Sequence, residues 1–537
     1  MRLEPLPEEL VDALLDACAH PHDPSARAGV EHVQTHISHV FLTGERVYKF
    51  RKAVRPGFLD FGTRAERGAD CLREVQLNRR LAPDVYLGVA PLSGEGRRLL
   101  VGAPSEALAP EGIEHCVVMR RLPHGRDALT LLERGGLGAP EVDAIASAIA
   151  DFHARIGLGS PPPHTPEAWL ASVREPMQAN LVALAHGDLR EGAAELAERT
   201  QRALAECSAH VVRRQREGRA VDGHGDLHLQ HVWLERSGTR PLFIDCLEFS
   251  AALRQVDAAC DLAFLAMDLV YRGSPQLAAR LLRRYARERD DFDLYSVVDL
   301  FMSYRAAVRA KVADLAARGV ELSDEQRRAA AGSARRHLEL ACALLRKRDP
   351  GALIAVTGLV GTGKTTAAEV LADELGGAVI ASDRVRKQLA GLRPDERSGA
   401  QRGIYTREWS ERVYAGLLER ARPVLASGRA AILDATWSQR QQRARVRALA
   451  DQLGAPVRFV ETQCAEATAR ERLARRQQRG GDASDAGPER HAASAAEFEA
   501  AGAHELGGWL RVATDRDDWQ RALREQVRDW LPPFSVA

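Results

Sequence analysis

The sequence predicts two domains in succession: an α+β half over residues 1–348 and an α/β half with a mainly parallel sheet over residues 349–537. Three observations predict them. In the second half, the apolar run Ala352-Leu-Ile-Ala-Val-Thr357 feeds the glycine-rich turn Gly358-Leu-Val-Gly-Thr-Gly-Lys-Thr-Thr366, and residues 367–375 carry a helical pattern. A buried strand that enters such a turn and leaves it as a helix is a building unit of parallel sheets. In the first half, β-rich runs that include a lysine are followed by a helix with a glutamate, by further strands, and then by helices alone. Between the halves, helical periodicity stops at Lys347-Arg-Asp-Pro-Gly351, where proline and glycine together end a helix.

At 537 residues the chain is too long for one hydrophobic core. The 75 Lys and Arg against 74 Asp and Glu leave no global field that would argue for nucleic acid. No apolar run reaches the roughly eighteen residues that a membrane span requires. The acidic start, MRLEPLPEELVDALLDACAH, lacks the basic beginning of a signal peptide. Eight scattered cysteines with no CxxC pair fit reduced thiols. The composition thus leads us to expect a cytoplasmic enzyme with neither nucleic acid nor membrane as partner.

In chain order, residues 5–20 read as an amphipathic helix, and residues 35–52 as a hairpin around the turn Thr43-Gly-Glu-Arg46, with Lys49 inside its second strand. Residues 70–81 read as a helix with Leu72, Val75 and Leu81 on one face and Glu74 beside them. Residues 87–91, 99–101 and 115–122 resume strand character. Helices follow over 140–156 and 166–218. His-Gly-Asp-Leu occurs twice in the helical region. The copy at 186–189 precedes a plain helical pattern and reads as a helix–turn–helix connection with Asp188 as a cap. The copy at 224–227 precedes Pro241-Leu-Phe-Ile-Asp-Cys-Leu-Glu-Phe249, which places Asp226 at a tight loop and Asp245 at the end of an apolar strand. Phosphoryl transfer needs that pair: one carboxylate orients the acceptor hydroxyl, the other holds Mg²⁺ on the nucleotide. Both could also serve as structural caps.

On these residues the segment 30–345 resembles the aminoglycoside phosphotransferase-like family, small-molecule kinases with the protein-kinase fold, its small lobe at about 30–122 and its large lobe at about 123–345. The resemblance implies that Lys49 holds the α/β-phosphates of ATP and pairs with Glu74, that Asp226 is the catalytic base, and that Asp245 is the metal-binding aspartate. It places residues 118–122 near the adenine hinge, and Asp257 and Asp261 in the following helix. The family has asparagine five residues after the catalytic aspartate, as a second metal ligand; here that position is His231. An imidazole suits Mn²⁺, Co²⁺ or Zn²⁺ better than hard Mg²⁺, so Mn²⁺ is expected to serve in this half, or its activity to be weak. No GxGxxG is present either, and Thr35-His-Ile-Ser-His39 would have to cover the phosphates.

In the second half, Gly358, Gly361 and Gly363 let the loop curl, so that backbone N–H groups, those of Thr362 and Thr366 included, face phosphate oxygens. Lys364 reaches the β/γ-phosphates and the Thr365 hydroxyl can ligate Mg²⁺. From residue 378 a second strand runs to Ser382-Asp383, where a helix starts and an acceptor hydroxyl could be activated while Arg384, Arg386 or Lys387 holds an anionic substrate; a simple helix cap is the other role for Asp383. Residues 430–436 form a strand ending in Asp434, in the position of a carboxylate acting through the Mg²⁺ shell, and residues 457–461 form another. Arg472, Arg475, Arg476 and Arg479 fall on one face of a helix over 468–479. We read it as a lid that brings arginines to the transferring phosphate and ends at residues 480–486; a surface helix is the plainer reading.

These motifs make residues 350–537 similar to the P-loop kinases of the gluconate kinase-like and zeta-toxin-like type. The chain as a whole resembles bacterial fusions described as bifunctional aminoglycoside phosphotransferase/ATP-binding proteins. The resemblance implies two Mg²⁺-ATP-dependent modules acting on small hydroxyl-bearing acceptors. The alternatives are an ATP-binding regulatory protein with a degenerate first module and a toxin-like nucleotide-sugar kinase.

Overall fold

The computed structural model describes residues 4–530 apart from 56–59, 160, 237–239, 320–321, 394–395, 397–402, 480–488, 503–504 and 506. The chain packs as two compact units, residues 1–160 with 218–261, and residues 161–217 with 262–537.

The first unit is built on β1 (Glu31–Gln34), β2 (Ser38–Leu42), β3 (Arg46–Arg51), β4 (Tyr86–Glu95), β5 (Arg98–Val101) and β6 (Glu114–Arg120), one sheet in the order β1-β2-β3-β6-β4-β5. Every pairing in it is antiparallel. The β2–β3 hairpin turns where the sequence predicts, and the Thr43 hydroxyl closes the turn by accepting from the Arg46 N–H at 2.9 Å. Lys49 sits opposite Val40 and Val117. The glutamate helix runs over Arg64–Asn78, earlier than the expected 70–81, because Thr63 and Glu66 form a capping box that starts it. Its Cys71 and Val75 pack with Val85, Val89 and Val117. The expected helix over 5–20 is only Leu10–Leu14: Asp16 accepts the Cys18 N–H and turns the chain into the short 3-10 segment Ala17–Ala19. The unit also holds helices Ala128–Glu133 and Ala139–Arg155, the second where the sequence predicts it, and two short antiparallel pairs, β7 (Ala220–Asp222) with β10 (Gln255–Asp257) and β8 (Val232–Trp233) with β9 (Leu242–Phe243).

The second unit has a five-stranded, wholly parallel sheet of β11 (Leu353–Thr357), β12 (Ala378–Ala381), β13 (Ala431–Asp434), β14 (Val457–Gln463) and β15 (Trp509–Ala513), in the order β12-β13-β11-β14-β15. The central β11 is buried along its length, as a strand covered by helices on both faces must be. Ile354, Val356, Leu371, Ile432 and Val460 form the core beneath the glycine loop.

Also in this unit are the helices Pro166–Leu184, Arg190–Arg216, Pro275–Arg289, Val298–Arg318 and Asp324–Leu344. The first His-Gly-Asp-Leu copy lies in the 3-10 turn Gly187–Leu189 between two of them, as expected. Asp188, however, is not a cap: the N-cap of the next helix is Leu189, with no side-chain bond, and the Asp188 carboxylate accepts instead from Arg335 Nη2 at 2.9 Å.

A row of ion pairs joins helix Pro275–Arg289 and the residues after it to the parallel-sheet layer. Arg280 and Arg283 meet Asp373, Arg287 meets Glu369, Arg384 meets Glu288, and Arg420 meets Asp290. Asp299 takes both arms of the buried Arg429, at 3.0 and 2.6 Å, and also Arg348. Glu369 and Asp373 lie on the helix that begins at Lys364, so the back of that helix is tied down while its N-terminus faces the loop.

Candidate functional site

In the first unit Lys49 projects from β3 between two carboxylates. Its Nζ lies 2.9 Å from Glu74 Oε1 and 2.9 Å from Asp245 Oδ1. Enclosure works against the charged amine, but Asp245 and Glu74 together raise its pKa above the ordinary lysine value. Two residues along the same strand face, the fully buried Arg51 grips the other side of the cluster. It reaches Asp70 Oδ2 at 2.7 Å, Glu74 Oε2 at 2.5 Å and Glu248 Oε1 at 2.6 Å. Glu74 is therefore held from both sides and cannot swing away from Lys49. Burial, and after it the charge of Glu74, pushes Glu248 up to about 7. No motif assigns Arg51, Asp70 or Glu248, although Asp70 and Glu74 at i and i+4, with Lys49 and Arg51 at i and i+2, are a readable signal.

Asp226, His231 and Asp245 converge beside Lys49. His231 Nδ1 donates to the Asp226 carbonyl at 2.8 Å, and its Nε2 lies 3.8 Å from Asp245 Oδ2. Holding the proton on Nδ1 leaves the Nε2 lone pair toward Asp245, which is how a metal-ligating imidazole is oriented by a neighbouring acceptor. Asp226, His228 and His231 also offer three donor atoms within 4.8 Å of one another. Asp245 takes a left-handed backbone, φ 58°, and its N–H donates to Tyr86 Oη at 3.1 Å. Enclosure favours its neutral form, but Lys49 and then His231 hold its carboxyl well below the usual range. A carboxylate that stays ionised beside an available imidazole nitrogen fits a divalent cation.

The loop that carries Asp226 is anchored from behind by Asp261. Its carboxylate accepts the His224 and Gly225 N–H groups, each at 2.8 Å, and sits 3.1 Å from His153 Nε2. A Cβ on Gly223 would stand 2.5 Å from Asp261 Oδ2, so only glycine permits this approach. Asp257 caps the helix that begins at Ala258 by accepting the Ala259 N–H at 2.7 Å. The turn between β1 and β2 is closed by Thr35, whose hydroxyl accepts the Ser38 N–H at 3.0 Å.

In the second unit Gly358, Gly361 and Gly363 have φ of 135°, 88° and 89°, values that glycine alone adopts without strain. Lys364 Nζ donates to the Leu359 carbonyl at 2.9 Å, and burial moves its pKa below the ordinary lysine value. The Thr365 hydroxyl donates to Asp434 Oδ2 at 2.7 Å, which places hydroxyl and carboxylate together as a Mg²⁺ shell requires. Burial, reinforced by Asp383 and Glu369 but opposed by Lys364, pushes Asp434 up to about 6. Asp383 lies in the first turn of helix Ser382–Leu389, whose N-cap is Ala381, and its charge acts on both Lys364 and Asp434. Thr366 is exposed in the first turn after the loop. The Thr362 hydroxyl is engaged with the Leu359 carbonyl at 2.8 Å and with Thr462 at 2.7 Å; its N–H, expected to face phosphate, donates to the Leu359 carbonyl at 3.4 Å, and its own carbonyl accepts from Thr514 Oγ1 at 2.8 Å.

The arginine helix, Glu466–Arg479, packs on the loop: a Cβ on Gly361 would meet the Ala469 carbonyl at 2.9 Å, and Ala469 and Leu473 are buried. The structure separates its arginines. Arg472 bonds Thr514 Oγ1 and O at 2.9 and 2.8 Å, Arg475 pairs with Glu471 on the surface, and Arg476 is the one whose charge acts on Lys364. Residues 480–486 lie outside the described residues. Arg384 bonds Glu288, and Arg386 donates to the Ile404 carbonyl at 2.5 Å, so each has a protein partner. Thr462, His491, Ser494 and Thr514 bond the loop or its supports from 100 or more residues away, and no local pattern announced them.

Comparison with known proteins places both halves. The phosphotransferase enzyme family matches residues 43–298, and an AAA domain matches residues 353–501. Uncharacterized proteins of Mycobacterium tuberculosis and Mycobacterium bovis are 35% identical over 444 residues, covering 81% of this chain and 84% of theirs. Among solved structures, a Plasmodium vivax ethanolamine kinase is 10% identical over 58% of this chain and 82% of its own, TM-score 0.33. A gluconokinase from Sinorhizobium meliloti 1021 is 20% identical over 34% of this chain and 95% of its own, TM-score 0.25.

Proposed function

The chain belongs to the family of its mycobacterial relatives, a phosphotransferase enzyme family domain followed by an AAA domain of P-loop kinase type, and from that premise we propose that it carries two ATP-dependent modules, divided near residue 349, each transferring the γ-phosphoryl group to a hydroxyl of a small molecule. The observation that carries the reading for the first module is Lys49 held 2.9 Å from both Glu74 and Asp245, with His231 bridging Asp226 to Asp245. Lys49 would bind the α/β-phosphates, and Glu74, locked by Arg51, keeps the lysine pointing at them. Asp226 would orient the acceptor hydroxyl and take its proton as the oxygen–phosphorus bond forms and the bond to ADP breaks. Asp245 and His231 would hold a divalent cation, which when bound neutralises charge on the phosphoryl group. With an imidazole in that set, Mn²⁺ serves better than Mg²⁺.

For the second module the support is the Thr365–Asp434 pair at 2.7 Å beneath the glycine loop. Backbone N–H groups and Lys364 would cradle the triphosphate, Arg476 would face the transferring group, and Asp383 would receive the acceptor proton. A second reading is favoured by His231 itself: a first module that binds ATP and regulates the second without transferring.

The test is phosphorylation of a panel of sugars, aminoglycosides, amino alcohols and nucleotide sugars by the full chain with Mg²⁺ or Mn²⁺, compared with Asp226→Asn, Lys364→Ala and the double variant. Each single variant should lose one set of acceptors. Acceptors lost only with Lys364→Ala, and none with Asp226→Asn, would favour the regulatory reading. Turnover that survives in the double variant would overturn both assignments. His231→Asn should move the first module's preference back toward Mg²⁺; an unchanged preference would mean that His231 does not hold the cation.

A further inference from the structure

We propose that His491 and Ser494 are positioning residues for the phosphate loop: they set the two peptides on either side of Val360 so that the loop can receive the terminal phosphates of a nucleoside triphosphate. The inference rests on the reading of residues 358–366 as the triphosphate site.

Two buried side chains of helix Glu489–Glu497 converge on this one loop residue. His491 Nδ1 lies 2.7 Å from the Val360 carbonyl, and the Val360 N–H donates to Ser494 Oγ at 3.2 Å. Ser494 Oγ in turn donates to the His491 carbonyl at 2.8 Å, so donor and acceptor are fixed relative to each other. A carbonyl can only accept, which puts the imidazole proton on Nδ1.

Val360 lies where the chemistry is decided. Lys364 Nζ bonds the preceding carbonyl, that of Leu359, at 2.9 Å, so the residue stands beside the ammonium that serves the β/γ-phosphates. A trans peptide is planar, with its C=O and N–H pointing to opposite sides. With the Val360 carbonyl drawn outward to His491, the Gly361 N–H is turned the other way, into the loop. The Leu359–Val360 peptide is held in the opposite sense, its N–H outward to Ser494. Gly361 is backed by the Ala469 carbonyl of the arginine helix, so the peptide is confined from two sides. The strap is fixed at its far end as well. The Glu499 N–H donates to the Ser438 carbonyl at 2.9 Å, and Glu499 Oε2 accepts the Arg440 N–H at 2.8 Å, just beyond the strand that ends in Asp434. Residues 491–499 thus link the loop that cradles phosphate to the strand that ends at the cation site, and preorganise donors that would otherwise have to be ordered by the ligand.

The experiment is calorimetric titration of the full chain with a non-hydrolysable ATP analogue and Mg²⁺, and separately with ADP and Mg²⁺. The component lost in Lys364→Ala identifies the phosphate-loop site. His491→Ala should weaken the triphosphate analogue at that site by about tenfold, the effect of leaving one buried carbonyl without its donor, with a smaller loss for ADP. His491→Asn should restore it, because the amide nitrogen of asparagine can occupy the place of Nδ1 and donate the same bond. Ser494→Ala should act in the same direction. Wild-type affinity in His491→Ala, or equal impairment in His491→Ala and His491→Asn, would overturn the inference and leave the triphosphate site standing. A titration that Lys364→Ala leaves unchanged would overturn the site assignment and this inference with it.

Discussion

Replacing Glu248 by glutamine should make the protein more stable above neutral pH. Around β3, the cations Lys49, Arg51 and Arg73 meet the carboxylates Asp70, Glu74, Asp245 and Glu248. Carboxylates outnumber cations, and Arg73 is half-exposed, so one acid is driven toward its protonated form. Glu248 is that acid: burial and the charge of Glu74 push it up to about 7, from an ordinary value of 4.5. A carboxyl raised in the folded state contributes stability that is fully present below about pH 4.5 and is lost as pH rises through 7. The difference of roughly 2.5 units corresponds to a loss of about 3 kcal/mol, complete above pH 7. Glutamine has the same size, can still accept from Arg51 Nη2, and does not ionise. Urea midpoints of the full chain and of Glu248→Gln, measured in parallel from pH 4.5 to 8.5, should therefore diverge between about pH 4.5 and 7 in favour of the variant, then run level. Parallel curves, or a wild type that gains on the variant as pH rises, would refute the reasoning and show Glu248 to be the ionised partner of Arg51 throughout.

Lys364→Ala should abolish triphosphate binding at the second module with an unchanged circular dichroism spectrum, because its ammonium bonds a loop carbonyl and not the core; retained binding would remove the assignment. Asp226→Asn should eliminate phosphotransfer by the first module, whereas Asp188→Asn, which weakens one exposed pair with Arg335, should change stability by less than about 1 kcal/mol and leave turnover alone. Reversal of that order would exchange the roles of the two His-Gly-Asp-Leu copies. Asp299→Ala strips the buried Arg429 of its bidentate partner and should destabilise the second unit by about 3–5 kcal/mol. A denaturation midpoint equal to wild type would show that contact to be dispensable, and would permit separate expression of residues 350–537.

The motifs were legible in the sequence because each is local. The glycine loop needs Gly358, Gly361 and Gly363 at positive φ within six residues, and the strand before it and the helix after it follow from hydrophobic period alone. The same holds for the β2–β3 hairpin, for Lys49 inside it, and for Asp434 at the end of its strand, whereas the strand expected to end at Asp245 is only Leu242–Phe243 and Asp245 lies beyond it with φ 58°. The role proposed for Asp226 follows from its loop before an apolar strand, and that for His231 from the family resemblance alone. Helix starts were less legible, since the Thr63–Glu66 box set the glutamate helix six residues earlier than its hydrophobic face suggested, and Asp16 cut the first helix short.

What only the tertiary structure decided is which distant residues share a charge or a hydrogen bond. Asp188 reads as a cap in sequence, and Arg335 claims it because another helix packs beside the turn. Arg51 and Glu248 are 197 positions apart and meet inside one buried cluster; no periodicity encodes a partner at that range. The four arginines on one face of helix Glu466–Arg479 look equivalent in sequence, yet Thr514, Glu471 and the field of Lys364 give Arg472, Arg475 and Arg476 three different situations. A sequence specifies which groups are present and their local geometry. Burial, which strengthens every electrostatic interaction and makes each unpaired polar group costly, is assigned only when the chain packs.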